Sequence, residues 1–412
     1  FVAERTALAA SLFLAFSHYL MSFGKIGYNN LQAFFALALG LWSAGWAAHT
    51  RRMFSFVIVG TVMGFCFYVY PAALYVLPIP ILLLLFYDPP ASGPAVRRWI
   101  AMAFSVMVLV FPLFLQPDYW KTKEAGTFLY NDQLLQSVDR IVSHFATNLL
   151  YSFLSFIYTP EEDHFIAVSY VDPLTAVFVI IGMVYLLKFV RRERFVAFFM
   201  LSYIVLLVLV GASHDRMYPT GTRMFLLLPW FALFASVGLE WVLQQTTQLR
   251  LFREPTTDVT VMAFLFVLGL NLYQAYPLAR DRMAGFQSLE TLFLRLVQRA
   301  QTVESEAPKT YVFITDPTWT SSGIQHIAAA YPVQARIEEV VVTGKVLPQP
   351  ARAIIADPNT LVIIKPWMEE AWQKAFEPAL RGLGKVPCGI KTTTGDVRFT
   401  LWHAPELAWL CE

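Results

Sequence analysis

HYLMSFGKIGYNN, residues 18 to 30, joins two apolar runs that are each about as long as a membrane span, yet it holds a histidine, a lysine, two tyrosines and two asparagines. A connection this polar between spans either turns the chain in the headgroup region or holds a polar ligand at the membrane surface. The rest of the sequence decides between them.

Of the 412 residues, 57% are hydrophobic, 16% aromatic and 15% charged. Soluble domains carry about a quarter charged residues, so this is the composition of an integral membrane protein. The net charge is +2 and the 31 lysines and arginines lie in scattered pairs rather than a stripe. No nucleic-acid partner is expected. The opening FVAER has neither an initiator methionine nor a signal-peptide pattern, so the chain reads as lacking the true N-terminus of its protein.

A hydrocarbon core of about 30 Å needs about 20 apolar residues. Nine runs approach that length, at 6–23, 31–48, 54–70, 72–87, 99–115, 173–190, 195–211, 223–243 and 259–276. The predicted fold is therefore mainly α, a polytopic transmembrane bundle of about nine spans over residues 1–276. Tyr70-Pro71 marks a tight turn between the third and fourth, because proline ends one helix and starts the next. Basic residues are retained on the cytoplasmic side. If nine spans alternate, Arg51-Arg52, Arg97-Arg98, KFVRRER at 188–194, and Arg250 with Arg253 all fall inside, and the 18–30 connection falls outside. The stretch Ile141–Tyr158, with His144 and Asn148, would spoil this parity by crossing. It reads as an interfacial or re-entrant helix within an outer loop from Gln116 to Asp172.

After Tyr276 the composition changes. In residues 277–412 the runs YVFIT (311–315), IEEVVV (337–342), LVIIK (361–365) and VRFTLWH (397–403) alternate with helix-like stretches at Gly323–Ala330 and Met368–Leu383, which predicts a small extracytoplasmic α/β domain. The expected location is a plasma (inner) membrane, with membrane lipids as partners. Cys66 lies in an apolar run and reads as packing. Cys388 and Cys411 either form a disulfide, if their domain faces an oxidising compartment, or stay free thiols.

Four polar stretches carry candidate chemistry, each beside a plainer reading. Lys25, with Asn29 and Asn30 and with His18 and Tyr28 nearby, either neutralises a phosphate or anchors at the interface while the asparagines cap the helix from Leu31. Tyr68, Tyr70 and Tyr75 around Pro71 form an interfacial belt or a surface for a sugar. In SHDRMYPTGTR, Arg216 and Arg223 are the cations. Arg223 opens an apolar helix, where its guanidinium suits a phosphate, a carboxylate such as Asp215, or solvent. TPEEDHF at 159–165 is a solvated acidic turn or a divalent-metal site. Walker A, GxGxxG, HExxH and GxSxG motifs are absent. The spans carry almost no charge, which argues against an ion pump or proton relay.

The order FGKIGYNNLQAFFALALGLW (23–42), a basic pair, then GTVMGFCFYVYPAALYVLPIPILLLLF (60–86) resembles the C-type superfamily of membrane glycosyltransferases, in particular the branch using lipid-phosphate sugars that includes protein mannosyltransferases and the aminoarabinose transferase of lipid A. YVDPLTAVFVIIGMVYLL (170–187) and TRMFLLLPWFALFASVGLEW (222–241) resemble later spans of that branch. The resemblance covers residues 1–276. It implies an inverting glycosyltransferase that takes a sugar from a polyprenyl-phosphate carrier in the outer leaflet. An aspartate in the first outer loop would be its general base, and that loop is expected upstream of Phe1. Lys25 and Arg223 would stabilise the departing lipid phosphate, with Asn29, Asn30 and Tyr70 beside them. Asn29 and Asn30 depart from the acidic residue often found in that turn. Two other classes stay open: a non-catalytic scaffold subunit and a transporter of lipid-linked sugars.

Overall fold

The computed structural model describes residues 2–26, 31–116, 137–158, 168–214, 217–218, 221–248, 257–283, 289–301, 308–315, 324, 336–342, 346–364, 370–391 and 397–411. The chain divides into two compact units, Phe1–Ala279 and Arg280–Glu412.

The first unit is helical. Its helices are α1 (Glu4–Phe16), α2 (His18–Ile26), α3 (Leu31–Thr50), α4 (Met53–Phe65), α5 (Pro78–Tyr87), α6 (Gly93–Phe114), α7 (Val138–Leu154), α8 (Pro173–Leu187), α9 (Arg194–Leu206), α10 (Leu228–Gln248) and α11 (Thr257–Tyr273). Two helix starts follow directly from sequence. Asp172 accepts the Thr175 N–H at 3.0 Å and precedes Pro173, and Ser92 accepts the Ala95 N–H at 3.4 Å before Pro94, so each helix opens on a capping side chain and a proline in the first turn.

The expectation of nine spans is corrected. Among the described residues five helices are long and apolar enough to cross a membrane: Leu31–Thr50, Gly93–Phe114, Arg194–Ala212, Gly221–Gln245 and Thr260–Asp281. A sixth span results if α1 and α2, bent by 50° at Ser17, count as one. Three of the other apolar runs fold as shorter helices. α4 stops at Phe65, short of Tyr70, and the chain then makes a 3-10 turn, Pro71–Val76, before α5. Pro71 lacks the N–H a continuing helix needs and holds Tyr70 before it out of helix, at φ −52° and ψ 138°, so apolar length does not become helical length. Because the alternation rested on nine crossings, it no longer assigns sides to the loops.

Close helix contacts depend on glycine. Gly182 of α8 faces the backbone of Phe234 on α10, and Gly238 of α10 faces the Phe178 carbonyl of α8; a Cβ at either position would lie within bonding range of that oxygen. Gly60 of α4 meets the Met102 carbonyl of α6 in the same way. Small residues let helix backbones approach where apolar burial gives no net drive in lipid. Gly238→Val is expected to force α8 from α10 and cost about 3 kcal/mol. Thermal unfolding in detergent checks this, with Gly269→Ala, which meets nothing within 4 Å, as the neutral control. Elsewhere, Arg98 grips Asp88 through Nε and Nη2, both at 2.9 Å, and Arg51 lies 3.8 Å from the same carboxylate, fixing the α5–α6 connection.

The second unit is a five-stranded sheet in the order β2-β1-β3-β5-β4. β1 (Thr310–Thr315) pairs in parallel with β2 (Arg336–Val341) and β3 (Thr360–Ile364), while β5 (Val397–His403) runs antiparallel to β3 and to β4 (Val386–Lys391). Strand alternation gives the sheet two apolar faces. Tyr311, Phe313, Leu361, Ile363 and Leu401 pack with α12 (Leu289–Gln301). Val312, Ile314, Val362, Ile364 and Trp402 face α13 (Gln349–Ile355) and α14 (Glu370–Gly382). Cys388 and Cys411 are joined as a disulfide with Cα atoms 6.0 Å apart, tying β4 to the C-terminal 3-10 turn. His403 lies within 4.8 Å of both sulfurs, but sulfurs bonded to each other offer no thiolate to a metal.

Candidate functional site

Lys25 and Arg223 are carried by segments that aromatic contacts hold together. α2 runs beside the chain at 221–225: the Tyr19 hydroxyl donates to the Gly221 carbonyl, and Phe23 stacks on Phe225 at 5.7 Å. Tyr19 in turn stacks on Tyr170 at 4.7 Å, and the Tyr170 hydroxyl is 3.1 Å from that of Tyr151 on α7. Tyr151 meets the Tyr218 ring edge-on at 5.4 Å. The backbone N–H of Tyr218 donates to Asn148 Oδ1 at 2.9 Å, and His144 Nε2 lies 2.7 Å from the His214 carbonyl oxygen.

Both cations rest on tyrosine rings. Lys25, in the last turn of α2, is exposed, sits 4.2 Å over Tyr276 and donates to the Ala275 carbonyl. Arg223 is half-buried, 5.1 Å over the ring of Tyr75. Each ring holds a cation against its negative face. The two side chains lean on different rings. Tyr70 is half-buried and opens the 3-10 turn that carries Tyr75, its N–H donating to Gln32 Oε1 at 3.2 Å. Tyr28, Asn29, Asn30 and Arg216 lie outside the described residues, as does the acidic 159–165 stretch.

The polar connection at 18–30 is corrected in its first half: it is helical from His18 to Ile26, and His18 is buried rather than displayed to a ligand. His18 belongs to a network that the sequence did not reveal. Asn271 Oδ1 accepts from the His18 backbone N–H and faces ring Nδ1, both at 2.8 Å, while ring Nε2 is 2.9 Å from the Ser169 carbonyl. Asn271 Nδ2 donates to Asp172 Oδ2 at 2.9 Å and to the Val267 carbonyl at 2.8 Å. These two donations fix the amide orientation. Asp172 therefore has one oxygen on the α8 cap and the other on Asn271, and is 2% exposed. It is an anchor between helices, not a base open to an acceptor.

Close contact between α7 and the chain near Gly211 adds a further constraint. Leu207–Ala212 is a π-helical segment, and Gly211 leaves room for the Ser152 side chain of α7. A π turn shifts the facing side chains by one position, and such segments are frequent at functional sites.

Chemically, the region offers two fixed cations, tyrosine faces and hydroxyls, and backbone carbonyls held by histidine and asparagine. That set suits a phosphate with a sugar attached: guanidinium and ammonium for the anion, aromatic faces for the ring. No protein-family model, no curated protein and no solved structure matches this chain.

Proposed function

We propose that this chain is part of an inverting membrane glycosyltransferase that takes a sugar from a polyprenyl-phosphate carrier and passes it to an acceptor at the outer face of the membrane. The observation that carries this reading is the pair of cations on tyrosine shelves, Arg223 over Tyr75 and Lys25 over Tyr276, on segments locked by the Phe23–Phe225 stack. In such a reaction the bond from the anomeric carbon to the phosphate breaks as the acceptor oxygen attacks, and negative charge grows on the departing lipid phosphate. Cations already in place stabilise that charge without reorganising. Arg223 would bind two phosphate oxygens with its planar fork, and Lys25 would act as a point charge.

Five apolar helices of spanning length fit a substrate presented from lipid. The Cys388–Cys411 disulfide supports an oxidising side for the second unit, in keeping with chemistry outside the cytoplasm. A scaffold reading is favoured by one observation, that the Asp172 carboxylate is fully engaged in holding helices. Saturable binding of a radiolabelled polyprenyl-phosphate sugar to the protein in nanodiscs separates the two. A transferase binds it and is competed by polyprenyl phosphate but not by the free sugar. A scaffold gives no saturable binding.

A further inference from the structure

At one end of the helical unit, α1, α8, α9 and α10 close around a cavity of about 270 Å³. Two of these helices, α9 and α10, belong to segments of spanning length, and the cavity lies where those segments end. Tyr185 and Leu186 come from the last turn of α8, Phe195 and Val196 from the first turn of α9. The ends of spans lie at the depth of lipid headgroups.

The walls carry two kinds of group. Tyr185, Phe195, Phe199 and Trp241 supply aromatic surface. Glu193, the residue before α9, and Glu240, within α10, supply carboxylates. Glu240 is half-buried, and its Oε2 accepts from the Thr6 hydroxyl at 2.8 Å, which ties the α1 wall to the α10 wall. One hydroxyl offsets only part of what a carboxylate loses on leaving water. Gln244, one helical turn after Glu240, lines the same cavity and adds an amide oxygen.

These are the groups that hold an ammonium ion. Carboxylates accept charge-assisted N–H bonds, and aromatic faces attract a cation, more strongly where water is excluded. Charges of the other sign stand just outside: Lys188, Arg191, Arg192 and Arg194 are all exposed in the turn that contains Glu193. Guanidinium groups suit phosphate oxygens. Carboxylates within the cavity and arginines beside it match a zwitterion whose ammonium and phosphate are a few bonds apart. We infer that the cavity binds the primary ammonium of a phosphoethanolamine group, with Glu193 and Glu240 accepting its N–H bonds and the 188–194 turn holding its phosphate. The chemistry is the same for a lipid headgroup and for a free phosphoethanolamine. The cavity is slightly smaller than sites for drug-sized ligands, as a group of this size requires.

The test uses the full chain in uncharged detergent at low salt, with hydrogen exchange over residues 185–199 and 233–244 read by mass spectrometry. The probes are dihexanoyl phosphatidylethanolamine, O-phosphorylethanolamine, and dihexanoyl phosphatidylcholine, whose ammonium has no N–H to donate. Phosphatidylethanolamine is expected to slow exchange in both stretches, and phosphatidylcholine to bind about tenfold more weakly. E193Q/E240Q is also expected to weaken ethanolamine binding about tenfold, while its glutamine keeps an acceptor for the Thr6 hydroxyl. W241L leaves both carboxylates in place and is expected to cost about threefold. Protection by O-phosphorylethanolamine assigns a soluble ligand, and protection by phosphatidylethanolamine alone assigns a headgroup; either supports the site. No protection by either ethanolamine probe, equal protection by phosphatidylcholine, or affinity unchanged in either variant overturns the inference.

Discussion

Arg223→Ala and Lys25→Ala are each expected to cut sugar transfer by on the order of 100-fold or more, while the protein still inserts and unfolds like the wild type. On the proposed reading the loss is catalytic, because the two groups would face charge that is fully developed only as the phosphate departs. Stability is spared at Lys25 because its side chain is exposed, and at Arg223 the ring contact given up is worth about 0.5–1 kcal/mol. Arg223→Lys separates charge from geometry: it keeps the cation but loses the fork, and is expected to recover only part of the rate. Transfer measured from a radiolabelled polyprenyl-phosphate sugar to acceptor in membranes checks all three. Wild-type rates in both alanine variants would remove the phosphate role from these residues.

Asn271→Ala has the opposite signature, large in stability. This amide supplies both acceptor contacts of His18 on the α11 side and satisfies Asp172 Oδ2, so its removal strands a buried N–H, a ring nitrogen and a carboxylate oxygen at once. At about 1–3 kcal/mol for each buried polar group left unmade, the expected cost is roughly 3–5 kcal/mol. Three segments that the network joins, α2, α8 and α11, would loosen together. Thermal unfolding in detergent reports the loss, and Asn271→Gln, which keeps the amide but displaces it, is expected to recover little of it. An unfolding temperature unchanged in Asn271→Ala would show that the network carries no stability.

The α/β part of the fold was largely legible. The strands from 311, 337, 361 and 397 begin within one residue of β1, β2, β3 and β5, because apolar β-branched runs bounded by polar residues leave little choice. β4 escaped notice since Pro387 and Gly389 disguise it, and both are tolerated because β4 is an edge strand. In the helical unit, apolar runs located the helices but overstated the lengths of α4, α5 and α8. A hydropathy run continues through Cys66–Tyr70, where the helix does not.

The candidate site was legible only in its charges. Lys25 and Arg223 stand out as cations beside apolar runs, but their tyrosine supports are unequal in visibility. Tyr75 lies in a polar-aromatic turn, whereas Tyr276 lies 251 residues from Lys25 and only the fold brings it there. His18 and Asn271 are 253 residues apart, and His18 looked like part of a ligand turn for want of its partner. The one local signal was Asn271 itself, a polar amide inside an apolar run, which a helix in lipid keeps only when the amide is satisfied.

The account is tested most directly by photolabelling with a polyprenyl phosphate that carries a photoreactive group beside the phosphate, followed by peptide mapping. Label is predicted on the peptides holding Lys25, Tyr75, Arg223 and Tyr276, displaced by unmodified polyprenyl phosphate and lost in the Lys25→Ala/Arg223→Ala protein. Label that avoids these peptides, or that unmodified carrier does not displace, would contradict a lipid phosphate seated between the two cations.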